Sequence, residues 1–412
     1  MKCRFLLLVT ALLMIGSGVK ADNVLYAVVD GTTMTLKYGE IEAGAVEYQY
    51  WNSDWNESFK GTITKAVIDA SCAAYAAESY SNLFRECDKL TTISGLENLN
   101  TSNNKSFYYT FSGCTVLESL DLSHFDTSKL TNTQGMFAAC KALSTLDLST
   151  FDTSKVTDMR FMFYNCSALK IIIVGDNWST ASIGSESFSV DMFSECTALV
   201  GEDGTTVIDT YHYNAHTGTG GYLTKKTVTV AANTVGSDNW ATYYKSNVNR
   251  QADANTTVYT AAVSGDKMIL TEISDKIIKA GQAVILKSSA ASITLTSTTD
   301  DATGDFTGNV LEGVDVVTDR ASGNTYYVLG KGSAGIIGFY KYERTLSANK
   351  AFYKVAAGSR EYFTIEGFST GIQEMDAVSG KKADVYYDLS GRRLAQPKKG
   401  VNIVNGKLVI IK

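Results

Sequence analysis

Cysteine is the residue whose type and spacing most directly suggest chemistry in this chain. The pattern Phe-x-x-Cys-x-x-Leu occurs five times, with its thiols at Cys87, Cys114, Cys140, Cys166 and Cys196. The steps between these cysteines are 27, 26, 26 and 30 residues. Thiols at such positions serve as disulfides, as metal ligands or as small core side chains. No Cys-x-x-Cys pair occurs in the sequence, which disfavours a metal site.

The regular step favours one of these uses, because it indicates stacked repeats of a single unit. Equivalent residues of stacked units lie about one strand spacing apart with parallel Cβ vectors. Parallel vectors do not fit disulfide geometry. We therefore predict that the five cysteines form a structural ladder of buried free thiols. Disulfides remain the alternative, since the chain after residue 21 holds an even number of cysteines.

Two further patterns resemble sites of chemistry but lack the required context. His212-x-x-x-His216 has the spacing of a zinc pair on a helix, yet its Gly/Thr-rich segment predicts a loop. Gly330-x-Gly332-x-x-Gly335 matches a dinucleotide-binding pattern, but a strand is predicted after it where that site needs a helix. The sequence also has no Gly-x-Ser-x-Gly elbow and no P-loop. We therefore expect no enzyme activity, no catalytic residues, no cofactor and no metal.

The elements that position the cysteines are predicted from one repeat unit. Leu120 and Leu122 alternate with polar residues, which predicts a short strand. Thr157 or Asp158 is expected to cap a short helix that runs to Tyr164. One unit cannot bury its apolar face alone. The units are therefore predicted to stack into a solenoid of about 26-residue leucine-rich repeats, in a fold that is mainly β with short helices.

The outward positions of the predicted strands form a candidate binding face. Asp121 and Asp147 occupy equivalent positions in adjacent units, Ser94 and Ile173 occupy them in the flanking units, and Glu118 lies in the neighbouring column. Stacked carboxylates are slightly unfavourable unless they are solvated or neutralised. This column is therefore either a solvated surface or a contact site for a basic partner or a cation.

The repeat unit, written LDLSxFDTSxVTxMxxMFxxCxxL, resembles that of the BspA-like leucine-rich-repeat surface proteins of Bacteroides-group bacteria. The resemblance covers roughly residues 24–224, from the lead-in that begins at Leu25 to the ending at Thr224. It implies an exported, surface-associated protein that binds host matrix or other cells. The last full unit departs from the pattern after Ile171 and is similar to a terminal capping unit.

The second half predicts a different β-rich fold. Short Val/Thr/Tyr-rich runs recur about every ten residues over 227–372, which is typical of a β-sandwich. Residues 373–412 form a small, basic β tail that resembles the C-terminal sorting domains of the type IX secretion route. The matching segments are Asp388-LSGRRL and Gly406-KLVIIK. A solvated basic hairpin that turns at Asn405-Gly406 is the alternative.

Residues 1–21 predict a secretory signal peptide, since Lys2 and Arg4 precede an apolar run and Ala21 ends a cleavage site. An N-terminal anchor helix is the alternative. No other apolar stretch is long enough to span a membrane. We expect an exported protein at the cell surface or outer membrane, or secreted. The predicted order is a signal peptide at 1–21, an N-terminal β cap at 22–61, the repeats at 62–226, the β-sandwich at 227–372 and the tail at 373–412.

Composition narrows the class of partner. A net charge of −6 and a pI of about 5.3 argue against nucleic-acid binding. We expect a non-catalytic, adhesin-like role in which the protein binds host or neighbouring-cell proteins or matrix components. The alternative is a carbohydrate-binding surface protein whose β-sandwich holds a glycan. Aromatic residues that either stack on sugar rings or pack in the caps and core are Trp51, Trp55 and Trp178.

Overall fold

The computed structural model describes most of the chain, and that part is mainly β, as predicted. The described residues are 23–202, 205–207, 211–217, 221–235, 238–298, 300–315, 317–331, 337–356, 360–366 and short strands within 386–411. The described helices are short 3₁₀ segments, at Ala70–Ala74, Leu96–Asn98, Glu186–Phe188 and His212–Asn214. No helix among the described residues is long and apolar enough to cross a bilayer. The predicted signal peptide lies outside the described residues.

The N-terminal segment forms a five-stranded sheet that changes from antiparallel to parallel pairing. Its strands are β1 (Val24–Asp30), β2 (Thr33–Gly39), β3 (Val46–Glu47), β4 (Lys65–Ile68) and β5 (Thr92–Ser94). The order is β3-β1-β2-β4-β5, with β2, β4 and β5 parallel to one another. Met34 and Leu36 of β2 lie opposite the buried Ala66 and Ile68 of β4. Alternate side chains therefore build one continuous apolar face.

A second parallel sheet follows in the repeats. Its strands are β6 (Thr145–Leu148), β7 (Ile171–Val174) and β8 (Thr224–Lys225). The strand predicted at Leu120–Leu122 is wrong, because no ladder of backbone hydrogen bonds joins this stretch to a neighbouring unit. Leu122 is nevertheless fully buried. The equivalent residues Leu148 and Val174 are also buried but lie in β6 and β7, so burial at this position does not require strand pairing.

The side of each unit that carries the Phe-x-x-Cys motif is built from tight turns. Residues with positive φ stand two before and two after the phenylalanine. These pairs are Asn82/Glu86, Tyr109/Gly113, Gly135/Ala139, Phe161/Asn165 and Asp191/Glu195. A left-handed residue interrupts a right-handed helix. The helix predicted from Thr157 or Asp158 to Tyr164 is therefore wrong.

Backbone hydrogen bonds between units replace those that a helix would make internally. Gly135 N donates to Arg160 O at 2.8 Å, and Ala139 N donates to Tyr164 O at 2.7 Å. Parallel bridges also link the residues five before each phenylalanine, in the order Ser79, Ser106, Asn132 and Asp158. Each unit is thus tied to the next by its main chain, and the positions of its side chains repeat along the stack.

The five motif phenylalanines form one column through the core. Neighbouring ring centroids in the series Phe84, Phe111, Phe137, Phe163 and Phe193 lie 5.5–5.9 Å apart, with interplanar angles of 2–15°. All five side chains are fully buried. Because offset stacking adds to the free energy gained by burial, this column reinforces the alignment of the units.

The second half contains two sheets. Its strands are β9 (Thr227–Ala231), β10 (Asn233–Val235), β11 (Asp238–Tyr243), β12 (Asn249–Ala252), β13 (Thr256–Ser264), β14 (Lys267–Ile273), β15 (Ile277–Ile278), β16 (Val284–Ser288), β17 (Ser292–Thr298), β18 (Leu311–Val314), β19 (Asn324–Lys331), β20 (Ile337–Tyr342), β21 (Lys350–Ala356) and β22 (Tyr362–Ile365). The ten-stranded sheet has the order β10-β11-β16-β13-β14-β22-β20-β19-β21-β18. The four-stranded sheet has the order β15-β12-β17-β9.

The ten-stranded sheet buries both of its faces. Val284 and Leu286 of β16 pack in a core shared with the four-stranded sheet. Ile285, between them, packs on the opposite side with Phe339 of β20 and Phe363 of β22. Strands from both ends of the sheet contribute to this second core, so the sheet curls back towards itself. The period of two along each strand places alternate residues in different cores.

The tail carries four further strands. They are β23 (Tyr386–Tyr387), β24 (Arg393–Leu394), β25 (Gly400–Val404) and β26 (Lys407–Ile411), in the order β24-β23-β25-β26. Strands β25 and β26 pair antiparallel, as the predicted hairpin requires. The predicted turn at Asn405-Gly406 and the segment from Asp388 to Arg392 lie outside the described residues.

Candidate functional site

The predicted carboxylate column is engaged by the chain itself. Asp121 is exposed, and its Oδ1 accepts a hydrogen bond from Ser123 N at 3.0 Å, which lowers the pKa of the carboxyl. Asp147 accepts from Ser149 N at 2.9 Å and forms a 2.6 Å ion pair with Lys226. Partial burial raises the pKa of Asp147, but these partners more than offset the effect and leave it below the ordinary value. Asp147 therefore already has a basic partner within the chain.

The remaining positions of that column are not brought into one site. Ile173 was expected to face outward, but it is buried opposite Asp147 in the parallel register of β6 and β7. Ser94 is exposed on β5 in a different sheet, and its hydroxyl donates to Ala66 O at 3.5 Å. Glu118 is exposed on a segment that belongs to no strand. The predicted binding residues are thus all at least partly exposed, but they do not lie on paired strands of one sheet. They are Ser94, Glu118, Asp121 and Asp147.

The cysteines lie in the core as unpaired thiols. Each thiol from Cys114 onward donates to the carbonyl of the motif phenylalanine in the preceding unit, as in Cys140 Sγ to Phe111 O at 3.2 Å. Burial raises the pKa of Cys87 and Cys196 to about 12, and it also raises the pKa of the thiols between them well above the ordinary value. Protonated, buried thiols are poor nucleophiles and poor metal ligands. Small size and weak donor capacity explain cysteine at this position.

The histidines and tryptophans have individual roles. His212 Nδ1 hydrogen-bonds with Ser189 Oγ at 2.6 Å, and His216 Nδ1 hydrogen-bonds with Thr217 O at 3.0 Å. No group of three or more His, Cys, Asp or Glu side chains suited to a metal occurs among the described residues. Trp55 is buried and Trp178 is half-buried, and both indoles donate to backbone carbonyls. Trp51, by contrast, is 69% exposed.

A different surface has side chains suited to recognition. We call it the aromatic–arginine face, formed by Arg85, Tyr109, Arg160, Tyr164 and Phe188. These residues lie on the turn side of the units, within five positions of a motif phenylalanine. Tyr164 and Phe188 are exposed, whereas the other members are partly buried. Tyrosine and arginine are enriched in the residues that dominate protein interfaces.

Neighbouring units hold this face in position. The guanidinium of Arg85 lies 5.1 Å from the ring centroid of Tyr109. A Cβ at Gly135 would approach that ring to 2.5 Å, so the ring lies directly against this glycine. Arg160 donates to Asp158 at 2.6 Å and to Gln134 Oε1 at 2.9 Å. Its guanidinium is then oriented 5.8 Å from the ring centroid of Phe188. Salt bridges and cation–π contacts thus restrain these long side chains before any partner binds.

Sequence reasoning missed this face because it followed the near-identical LDLS segments. The informative positions are those that vary between units at a fixed distance from the phenylalanine. Three positions before it, the units carry Ser81, Tyr108, Gln134, Arg160 and Val190. Aligning the units on Phe-x-x-Cys would have placed Arg160 in this column, and Arg85 and Tyr164 together in the column directly after the phenylalanine.

The comparisons with known proteins bear on the repeats. Residues 78–203 match the family model described as Mycoplasma protein of unknown function, DUF285. That span contains all five Phe-x-x-Cys-x-x-Leu motifs. No curated protein and no solved structure matches the chain. This segment is therefore similar to a family whose description gives no function.

Proposed function

We propose that this is an exported, surface-associated, BspA-like leucine-rich-repeat protein with a non-catalytic, adhesin-like role. It binds proteins of a host or a neighbouring cell through the aromatic–arginine face. Residues 62–226 serve as the solenoid that presents this face. Residues 227–372 serve as a β-sandwich that extends it from the surface, and residues 373–412 serve as a sorting-domain-like tail.

The architecture is supported by the repetition of contacts from unit to unit. The phenylalanine column, the thiol-to-carbonyl bonds and the parallel bridges each recur with the sequence period. These are the nearest-neighbour contacts on which stacked repeats depend. The tail and the signal peptide are supported by the sequence alone, and export rests on them.

The observation that carries the functional proposal is the contact of the oriented Arg160 guanidinium with the exposed ring of Phe188. An exposed ring that is already ordered loses less conformational entropy when a partner covers it. Phe188 and Tyr164 are 44% and 37% exposed, while the Arg160 guanidinium is held by Asp158 and Gln134. A protein surface that buries these rings gains apolar contact area and keeps the arginine donors oriented.

The alternative function, in which the second half binds a glycan, has less support from the described clefts. The cleft described there, beside Thr242 and Phe352, has a volume of about 170 Å³. This volume lies below the roughly 300–1,000 Å³ of most ligand pockets.

The test measures binding of the full-length chain to an array of fibronectin, fibrinogen, laminin and collagen. We expect at least one to bind, and the double variant Tyr109→Ala/Phe188→Ala to weaken that binding about 30-fold, as two hot-spot rings would. Tyr362→Ala is the matched control, since it removes an equally exposed aromatic ring from the second half. No binding to any array member would contradict the proposal, as would unchanged affinity of the double variant.

A further inference from the structure

A groove of about 340 Å³ lies where the first three repeat units meet the N-terminal segment. We call it the Trp51 groove. Its lining includes Tyr50, Trp51, Ser81, Asn82, Tyr108 and Asn132. Its volume falls within the range of roughly 300–1,000 Å³ that small-ligand sites occupy.

One wall of the groove is an exposed aromatic pair. Trp51 is 69% exposed and Tyr50 is 43% exposed, and the two rings meet edge to face at 4.9 Å. Trp55, only four residues later, is buried and donates its indole N–H to Asn82 O. Packing of the core therefore accounts for Trp55 but not for Trp51. A large exposed ring that contacts no core offers a flat apolar surface to a ligand.

Two polar groups of the groove lining have no hydrogen-bond partner among the described residues. Asn132 Oδ1 accepts from Gln134 N at 2.8 Å, which orients the amide and leaves its Nδ2 without a described partner. The hydroxyl of Tyr108 also bonds no described protein group. Both are therefore available as hydrogen-bonding groups for a ligand in the groove.

Asn82 supplies an independent indication of a ligand. Its side chain is only 3% exposed, and its Nδ2 donates to Tyr50 O at 3.3 Å. Its Oδ1 is buried and has no hydrogen-bond partner. An unpaired buried acceptor costs free energy, and such groups are rare in native structures. A ligand hydroxyl that reaches this oxygen, after a small shift of the groove lining, removes the cost.

The groove lining carries little unpaired charge, which favours a neutral ligand. Glu78 is the charged residue of its lining, and Lys105 lies 3.3 Å from that carboxylate. The remaining lining groups are hydroxyls, amides and aromatic rings. The backbone beside the groove is already paired between units, since Asn82 N donates to Tyr108 O at 2.8 Å. An extended peptide therefore finds no strand edge at this position.

We propose that the Trp51 groove binds a neutral saccharide. A sugar ring stacks on Trp51 and Tyr50, and its hydroxyls bond to Asn82, Tyr108 and Asn132. Neutral hydroxyl-rich rings combine an apolar C–H face with many donors and acceptors, which is the combination that this lining complements. This site borders the aromatic–arginine face, since the Tyr108 ring meets the Tyr109 ring edge to face at 4.6 Å. It is lined by different side chains and does not depend on the protein-binding proposal.

Isothermal titration of the full-length chain tests the site with neutral cello-, manno-, xylo- and malto-hexaoses, and with a heparin hexasaccharide as the acidic comparator. We expect a neutral hexaose to bind below about 1 mM. Trp51→Ala is expected to weaken binding at least tenfold. Tyr108→Phe keeps the ring and removes one hydroxyl, so it is expected to weaken binding roughly two- to twelvefold. Tyr362→Ala is expected to leave the affinity unchanged.

Several results would overturn the assignment. These are no neutral hexaose bound at about 1 mM, binding of the acidic hexasaccharide alone, or neutral binding that survives Trp51→Ala in a chain with unchanged circular dichroism. Running the matrix-protein array on Trp51→Ala separates the two proposals. If Trp51→Ala abolishes protein binding and no saccharide binds the unaltered chain, the groove is part of the protein-binding surface and the saccharide site is refuted.

Discussion

Removing the buried charge of Arg250 is expected to destabilise the protein strongly, because this side chain joins the repeats to the second half. Arg250 lies on β12 with no exposed side-chain surface. Its NH2 donates to Glu202 Oε1 at 2.6 Å, and its NH1 donates to Ser297 Oγ at 2.6 Å and to Lys225 O at 2.9 Å. Its Nε has no hydrogen-bond partner, so the site is already imperfectly satisfied.

The expected loss of unfolding free energy depends on which of the two charges remains unpaired. Breaking a buried ion pair by removing one partner costs about 3–5 kcal/mol. Arg250→Met leaves the Glu202 carboxylate, which is 15% exposed and retains some water. Glu202→Leu leaves the guanidinium, which is completely buried. We therefore expect about 3 kcal/mol for the first variant and nearer 5 kcal/mol for the second.

The double variant gives the decisive comparison. Replacing both partners by apolar groups removes the unpaired charge, and such replacements are often close to neutral. Arg250→Met/Glu202→Leu is therefore expected to be more stable than Glu202→Leu alone. Urea unfolding of the full-length chain, followed by far-ultraviolet circular dichroism, measures this. With a slope of about 2 kcal/mol per molar, a loss of 4 kcal/mol lowers the midpoint by about 2 M.

Arg320→Met is the matched control, because Arg320 is exposed and, among the described residues, donates only to Glu343 O. We expect it to change the free energy of unfolding by less than about 0.5 kcal/mol. The reasoning is refuted if the double variant loses the sum of the two single losses, since additivity within about 0.5 kcal/mol means that the two groups do not interact.

Three further predictions concern the repeats. Phe137→Leu should cost about 0.5–1.5 kcal/mol more than Phe84→Leu in urea unfolding, because Phe137 stacks on two motif phenylalanines and Phe84 on one; equal losses would argue against stacking. The pKa of Asp147 is lowered in the folded chain, so its pair with Lys226 stabilises above the unfolded pKa and is lost as the pH falls below about 4. Asp147→Asn should therefore flatten the acid limb of the stability–pH curve, and an unchanged limb would contradict this. The stacked thiols should not react with Ellman's reagent until urea unfolds the chain, because burial keeps them protonated; rapid labelling of the folded chain would refute their burial.

The buried side chains of the repeats were largely predictable from the sequence. The period of Phe-x-x-Cys-x-x-Leu places Phe137 and Cys140 in the core, because stacked units bury the same positions each time. The local backbone was not predictable in the same way. Met159, Phe163 and Cys166 have helical spacing, but Phe161 and Asn165 adopt positive φ.

The candidate binding residues were harder to predict, because their environments depend on distant parts of the chain. Asp147 was predicted on the strand face, but its ion pair is with Lys226, 79 residues away. Trp51 and Trp55 have similar sequence surroundings, yet one is exposed and the other is buried beneath Asn82.

Composition and periodicity alone were sufficient to predict a mainly β chain and the register of the repeated core residues. These depend on the alternation and repetition of apolar residues, which are local properties of the sequence. Only the folded chain showed three features: the turn conformation, the partners of the carboxylates and the grouping of Trp51 with Tyr108 and Asn132. They depend on hydrogen bonds and contacts between different units, where residues far apart in sequence compete for the same donors, acceptors and buried space.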